Sequence, residues 1–136
     1  MPNDQTNPTV GKTVINLPYT ELDTFCVRYT GIINTQDYKD VCVDIGNAII
    51  EKHGQLRMLI EYVDFLGWED DAAELNLKTI FYQAPFATRL AYINPTERAM
   101  MKSRLILPPK ILGVMRIYPA GELEEAVRWI KSNEPA

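Results

Sequence analysis

Few side chains in this sequence have the types and the spacing that enzyme chemistry requires. His53 is the single histidine, so a catalytic triad has one candidate base and a metal site with several histidines is excluded. Its position beside Gly54, at the end of a predicted helix, suits an interaction with the helix dipole. Cys26 and Cys42 have no CxxC spacing and lie in apolar segments, which predicts buried thiols. The glycines show neither of the spacings that cradle phosphates.

Acidic and phenolic side chains indicate two further kinds of chemistry. The carboxylates of Glu69–Asp71 are ligands that hard cations prefer, but acidic residues are also expected on the first turn of a helix. Tyr62, Tyr92 and Asp64 could serve in acid–base steps, yet no paired arrangement recommends them, and an unperturbed tyrosine is a poor base near neutral pH. We therefore predict that the protein is not an enzyme and has no catalytic residues, no metal site and no cofactor.

The bulk properties of the chain narrow its class. It has 136 residues, of which 46% are hydrophobic and 24% are charged, as in an ordinary globular protein. A formal net charge of −4 argues against nucleic acid as a partner, because a phosphate backbone requires a cationic surface. No apolar run reaches the roughly 20 residues that span a bilayer, and residues 1–11 do not resemble a signal peptide, so we predict a cytoplasmic protein. Residues 1–12 are predicted to form a flexible tail and residues 13–133 a single domain.

Strand and helix signals alternate along the predicted domain. Short β-prone or continuous apolar runs predict five strands, at 13–17, 24–30, 56–63, 88–93 and 112–118. Apolar residues spaced three and four apart predict four helices, at about 35–53, 69–84, 94–104 and 122–131. This order predicts an α/β fold with a mostly parallel five-stranded sheet, an N-terminal β-hairpin and right-handed crossovers.

The predicted helices have recognisable boundaries and inward faces. Asn34 or Thr35 can cap the first helix, and Gly54 suits the left-handed position that ends it. Asn94 followed by Pro95 predicts the start of the third helix. The second helix is predicted to turn inward a stripe made of Ala73, Leu77, Ile80, Phe81 and Ala84.

Loops at the carboxyl ends of parallel strands meet at one edge of a sheet, where helix N-termini also point. The segment 64–68 is predicted to be such a loop. The residues expected at this strand-end edge are Asp64, Phe65, Trp68, Asn94 and Tyr118. Such aromatic and polar groups could hold an amphipathic ligand or a side chain of a protein partner. Alternatively, Phe65 packs under the second helix, Trp68 covers the loop and Asp64 bonds local backbone groups.

The third predicted helix is locally basic. Its charged and adaptable side chains are Arg98, Met101, Lys102 and Arg104. A solvated surface is the expected role of such a face, although methionine-rich surfaces can also bind partners.

One stretch of the sequence resembles a known family. The segment 57–68, RMLIEYVDFLGW, is similar to the most recognisable part of the SpoIIAA-like proteins, small bacterial relatives of the STAS domain. Supporting similarity comes from Leu77-Lys78, from TRLAYI at 88–93 and from RIYPAGELEEA at 116–126. The resemblance implies an open sheet wound as a β-α superhelix, a fold also likened to the lipid-carrying Sec14 domain.

The resemblance does not carry the STAS phosphorylation switch to this chain. In the anti-sigma factor antagonists of that superfamily, a Ser or Thr at the start of the helix after the central strand is phosphorylated. Here the stretch from Asp64 to Asp71 contains neither residue, and the first hydroxyl of the second helix is Thr79.

Two functional hypotheses remain open at this point. The first is a STAS-like binding or regulatory module that meets a protein partner through the strand-end edge near Trp68. The alternative is a carrier or sensor of a small amphipathic, lipid-like ligand, held between the sheet and the third helix, with 105–109 as a flap. Homodimerisation is compatible with either hypothesis, although the sequence indicates no interface.

Overall fold

A five-stranded sheet forms the centre of the structure, a computed structural model that describes residues 12–134. Its strands lie in sequence order and are β1 (Val14–Asn16), β2 (Thr24–Ile33), β3 (Leu56–Trp68), β4 (Ala87–Ile93) and β5 (Met115–Tyr118). The pair β1–β2 is antiparallel and the other three pairs are parallel. The predicted N-terminal hairpin and mostly parallel sheet are therefore confirmed. The tail predicted for residues 1–12 lies outside the described residues, apart from Lys12.

Helical segments follow each strand from β2 to β5 and cover both faces of the sheet. They are α1 (Thr35–Tyr38), a π-helical turn (Lys39–Val43), α2 (Asp44–His53), α3 (Asp70–Gln83), a 3-10 turn (Ala84–Phe86), α4 (Glu97–Ile106), α5 (Pro109–Leu112) and α6 (Leu123–Lys131). The segments from α1 to α2 follow one another without a break and correspond to the first predicted helix. The short α5 was not predicted. Within residues 12–134, no helix is both long and apolar enough to cross a membrane.

The boundaries of the first helix follow the predicted capping. The Asn34 side chain accepts a hydrogen bond from the backbone N–H of Asp37 at 2.8 Å, and Gly54 ends α2 with φ = 73°. At the π-helical turn, the Gln83 side chain donates to the Cys42 carbonyl at 3.0 Å. Gly46 permits this approach, because a Cβ atom there would lie 2.5 Å from Gln83 Nε2.

Successive side chains on the strands alternate between the two faces of the sheet. On one face, which we call the filled face, α6 alone covers a cluster that includes Cys26, Leu59 and Ile93. On the opposite face, which we call the hollow face, α1 to α5 cover a larger cluster that is rich in aromatic residues. The backbone of α6 packs closely on β2, β3 and β4, whereas the backbone of α4 stays further from the sheet.

The segment 64–68, predicted as a loop, is the end of β3. This prediction was wrong because β2 also continues past its expected end at Gly31, so that the two strands stay paired as far as Ile33 and Trp68. The register shifts on both sides of Gly31, where φ is 67°, and Asp64 on β3 also has a positive φ of 53°. Irregular pairing of this kind lets a long parallel pair bend without ending.

The inward stripe predicted for α3 was wrong at two positions. Leu77 and Phe81 are exposed, whereas Asn76, Thr79 and Gln83 are buried. The buried polar groups are tolerated because each has a hydrogen-bond partner; the Asn76 amide, for example, donates to the Tyr38 hydroxyl at 2.8 Å. On α6, by contrast, the apolar spacing predicts an inward face of Leu123, Ala126, Val127 and Ile130, and these side chains are buried or half-buried.

Two boundaries after β4 also differ from the predictions. The N-cap of α4 is Thr96, whose hydroxyl accepts from the Ala99 N–H at 3.1 Å, because Asn94 has a positive φ of 56° and lies in the preceding bend. Leu112, predicted to begin the last strand, is instead the last residue of α5, and β5 begins at Met115. Pro109 stands at the first helical position of α5, which its ring geometry favours.

Candidate ligand-binding site

A cavity of about 570 Å³ lies between the hollow face of the sheet and the helices α3 and α4. Its volume is within the range of about 300–1,000 Å³ that small-molecule sites usually have. The strands provide the floor, α3 and α4 provide the roof, and the end of β3 provides one wall. The floor includes Tyr29, Ile60, Tyr62, Leu90 and Tyr92, and the roof includes Ala73, Asn76, Ile80, Ala99 and Lys102.

Strand register brings the floor tyrosines together. Tyr29 on β2 is the direct neighbour of Tyr62 on β3. Tyr92 on β4 pairs with Ile60, which lies two positions before Tyr62 on β3. The rings of Tyr29 and Tyr62 meet edge to face with centroids 5.5 Å apart, and those of Tyr62 and Tyr92 with centroids 6.1 Å apart. Such edge-to-face pairs stabilise aromatic clusters beyond the burial of their area.

Three of the buried tyrosine hydroxyls have partners, and one does not. The Tyr92 hydroxyl lies 2.7 Å from Ser103 Oγ, the Tyr38 hydroxyl accepts from Asn76, and the Tyr29 hydroxyl lies 3.7 Å from Cys42 Sγ. The Tyr62 hydroxyl makes no hydrogen bond to any other residue between 12 and 134. Burial raises the pKa of Tyr29, Tyr38, Tyr62 and Tyr92, so all four phenols stay protonated near neutral pH.

Two predicted site residues form the wall at the end of β3. The rings of Phe65 and Trp68 have centroids 6.0 Å apart, and both side chains line the cavity. Trp68 also packs edge to face on Tyr29 and Tyr38. Its ring is therefore part of the aromatic lining and only partly exposed.

Lys102 reaches from α4 towards this wall. Its ammonium lies 4.8 Å from the centroid of the Trp68 ring, a cation–π distance, and it donates a hydrogen bond to Asn76 Oδ1. Burial lowers the pKa of Lys102. The prediction of a solvated face was therefore wrong for this residue, because its long side chain turns inward, whereas Met101 and Arg104 are exposed as predicted.

The remaining predicted residues lie away from the cavity. Asn94 and Tyr118 are neighbours, because the Asn94 N–H donates to the Tyr118 carbonyl at 2.8 Å, and both line a shallow groove beside α4. The Asn94 amide also donates to the Tyr62 carbonyl at 3.4 Å. Asp64 is exposed and lines neither the cavity nor this groove. The structure thus brings together two pairs of the five predicted residues.

Glu69, Cys26 and Cys42 lie outside the cavity lining. Glu69 precedes α3, and its carboxylate accepts from the Thr35 N–H at 3.2 Å. In the part of the chain that the structure describes, no three metal-ligating side chains of the His, Cys, Asp or Glu types lie close together. Cys26 and Cys42 are buried, as predicted, and burial raises the pKa of each thiol to about 12.

The sequence predictions did not place the floor tyrosines or Lys102 at a common site, although the structure brings them together in the lining of one cavity. A usable signal existed for the tyrosines, since Tyr29, Tyr62 and Tyr92 each fall near the end of a core strand and share one face once the strands align. The inward turn of Lys102 had no comparable signal, because its partners Asn76 and Trp68 come from two other elements.

Comparisons with known proteins address the fold of the chain. The profile of the family described as SpoIIAA-like matches residues 24–131. A solved structure from Shewanella loihica PV-4, described as an uncharacterised protein of the DUF3478 family with a SpoIIAA-like fold, superposes with a TM-score of 0.60 at 17% identity. The alignment covers 86% of this chain and 93% of that one. No curated protein matches the sequence. The family match covers most of the described domain, and the chain therefore belongs to the SpoIIAA-like family.

Proposed function

We propose that this protein is a non-enzymatic binding protein that holds a small amphipathic ligand in the cavity beneath α4, as a carrier or a sensor. The observation that carries this proposal is the volume of about 570 Å³ that the side chains of the hollow face leave unfilled. The lining is predominantly apolar and aromatic, with a few polar groups, which is the usual composition of a ligand site.

Packing energetics support an occupant. Protein interiors are normally close-packed, and an unfilled apolar volume costs about 24 cal/mol per Å³ in core truncations. This cavity is partly open to solvent, so its apolar lining meets water when no ligand is bound, which is also unfavourable. A folded domain is stable by only about 5–15 kcal/mol, so a bound apolar body that restores the missing contacts would raise its stability.

The ionisation of the lining supports binding rather than catalysis. The tyrosines that face the cavity have pKa values raised by burial, so none supplies a phenolate base near neutral pH. They can instead pack against a ligand through their rings and bond it through their hydroxyls. Leu107 and Ile111 add apolar contacts at the far end of the cavity. The segment 105–109 was considered above as a flap over the ligand, and Leu105 within it is 83% exposed.

Native mass spectrometry of protein purified gently from its own host is the first test. One spectrum reports both the mass of the assembly and any small molecule that stays bound. We expect a mass increment on the folded protein that disappears under denaturing conditions.

A matched pair of variants on α4 tests where a ligand binds. The neutral fluorescent probe N-phenyl-1-naphthylamine should bind the wild-type protein with a stoichiometry of one. Ala99→Phe places a ring inside the cavity and should weaken that binding about tenfold. Met101→Phe places the same ring on the exposed side of the same helix and should leave binding unchanged. Absence of probe binding to the wild-type protein, or equal binding by both variants, would contradict the proposal.

A second candidate function is recognition of a protein partner at the strand-end edge. The observation that favours it is the exposure of Ile32 and Leu66, which are 55% and 76% accessible on the long β2–β3 extension. Exposed apolar side chains near one another are typical of interaction surfaces. If Trp68→Ala left stability, partner binding and probe binding all unchanged, the edge would have no role in either function.

A further inference from the structure

We propose that the ligand of the cavity is an amphipathic anion whose carboxylate or similar head group pairs with the Lys102 ammonium, while its apolar body occupies the aromatic floor. This inference rests on the proposed function, because it requires that the cavity binds a ligand, and it specifies the chemical class of that ligand.

The charges on the cavity wall have one sign. Lys102 and Arg98 line the cavity, and no Asp or Glu is found among the described residues of its lining. The chain as a whole has 18 acidic and 14 basic residues, so the composition alone would place carboxylates there at least as often as cations. The positive wall in an acidic protein favours an anionic occupant.

Lys102 differs from the other six lysines of the chain in combining burial with the lack of a carboxylate partner. Lys12, Lys39, Lys78 and Lys131 each have a carboxylate within 4.0 Å, and Lys52 and Lys110, which have none among the described residues, are exposed. No carboxylate between residues 12 and 134 comes that close to Lys102, although its ammonium is half-buried and has lost part of its water. An ammonium group has three donors, and Asn76 Oδ1 accepts from one of them. The other donors can bond the oxygens of an anion at charge-assisted strength.

The Tyr62 hydroxyl offers a second polar contact for a head group. This side chain is only 6% exposed and lines the cavity, and its hydroxyl has no partner in the described part of the chain. The hydroxyl oxygen is not fully enclosed and keeps surface towards the cavity, where an occupant can bond it. Since burial keeps the phenol protonated, it can donate to a ligand oxygen.

Other classes of ligand fit this wall less well. An aromatic cluster can also form a cage for a cation, but the Lys102 ammonium already lies against the Trp68 ring, so a cationic ligand would be repelled. A neutral apolar ligand would fill the floor and leave the half-buried ammonium without a counter-charge. Only an amphipathic anion satisfies both the ammonium and the apolar floor.

Two probes that share one ring system test the inference. The anionic probe 8-anilinonaphthalene-1-sulfonate has the rings of N-phenyl-1-naphthylamine with a sulfonate added. We expect the wild-type protein to bind the anionic probe more tightly, with a stoichiometry of one by titration calorimetry. Lys102→Met keeps the length of the side chain and removes its charge. It should weaken binding of the anionic probe by about tenfold or more and leave the neutral probe within about twofold.

Two further variants separate charge from folding. Lys102→Arg keeps the charge and should retain most of the affinity for the anionic probe. Arg104→Met removes an exposed charge from the same helix and should leave both affinities unchanged. A circular dichroism melt of each variant verifies that it is folded at the titration temperature.

The outcomes distinguish this inference from the proposed function. If the wild-type protein binds neither probe, the proposed function is wrong and the inference fails with it. If the neutral probe binds at least as tightly as the anionic one, or if Lys102→Met weakens both probes equally, the cavity binds ligands but the anionic class is wrong.

Discussion

The filled and hollow faces belong to the same strands, but their side chains differ in how closely they let a helix pack on the sheet. On β4, Ala91 faces α6 and lets that helix pack closely, whereas Tyr92 faces α4 and bonds Ser103 across the gap. On β3, Leu59 is fully buried in the filled face, and the adjacent Ile60 borders the cavity. Because side chains alternate in a strand, one sheet can build a close-packed core and a binding site back to back.

The difference teaches that side-chain size decides how closely a helix approaches each face. On the filled face, small residues such as Cys26, Ala91 and Ala126 bring the helix to the sheet. Large rings on the hollow face hold the roof away from it, and their edge-to-face packing leaves volume between them. If this comparison is right, added side-chain volume should have opposite effects on the two faces.

The same substitution on two helices gives the largest contrast that we predict. Ala126 on α6 is 0% exposed, so Ala126→Leu should overpack the filled face and lower the free energy of unfolding by about 2–3 kcal/mol. Ala99 on α4 borders the cavity, so Ala99→Leu should leave that free energy unchanged or raise it by up to about 1 kcal/mol. The measurement is urea denaturation of both variants. Equal losses would mean that the hollow face is as densely packed as the filled one.

A smaller effect is expected when the charge is removed from the hollow face. At pH 7, Lys102→Met should change the free energy of unfolding by less than about 1 kcal/mol, because relief of the half-buried charge offsets the lost cation–π contact. The pH dependence is the sharper readout. Burial lowers the pKa of Lys102 in the folded protein below the ordinary lysine value of 10.5. In the pH window between the lowered pKa and 10.5, the unfolded chain therefore binds more protons at Lys102 than the folded protein does.

In that window, the wild-type protein should gain stability relative to Lys102→Met as pH rises. The buried thiols act in the opposite direction, since their raised pKa values make folding less favourable above pH 9.0, where the unfolded thiols ionise. The cavity tyrosines do the same at higher pH. These contributions are common to both proteins and cancel in the difference. Denaturation curves of both proteins at pH 7 to 10 measure the difference between their free energies of unfolding. A difference that does not change with pH would place the Lys102 ammonium in solvent.

The sequence predicted the filled face better than the hollow one, for a physical reason. The inward stripe of α6 is apolar and periodic, so local spacing alone is enough to orient the helix. On α3, Asn76 and Gln83 point inward because their partners, Tyr38 and Cys42, lie about forty residues earlier in the chain. Hydrophobic spacing cannot reveal a polar residue that is satisfied by a distant segment, so the periodic pattern favoured the wrong face.

The order of the strands was predictable, whereas the cavity was not. Alternating strand and helix signals determine the parallel sheet, and Phe65 and Trp68 lie at the predicted edge, although in the end of β3 rather than in a loop. The volume under α4 depends on the sum of side-chain sizes across three strands and two helices. No local sequence pattern predicts that sum, and none predicts that the Lys102 side chain turns inward.

The smallest effect that we predict tests the orientation of α3, on which the hollow face depends. Phe81 is 63% exposed, so Phe81→Ser should change the free energy of unfolding by less than about 0.5 kcal/mol. The neighbouring residue Ile80 borders the cavity. Ile80→Ser should lower the free energy of unfolding by about 2 kcal/mol or more, because a polar group would replace a partly buried apolar one. Urea denaturation compares the two. A loss at Phe81 as large as that at Ile80 would mean that α3 turns its whole apolar stripe inward, which would move Asn76 away from Lys102 and remove the polar end of the cavity.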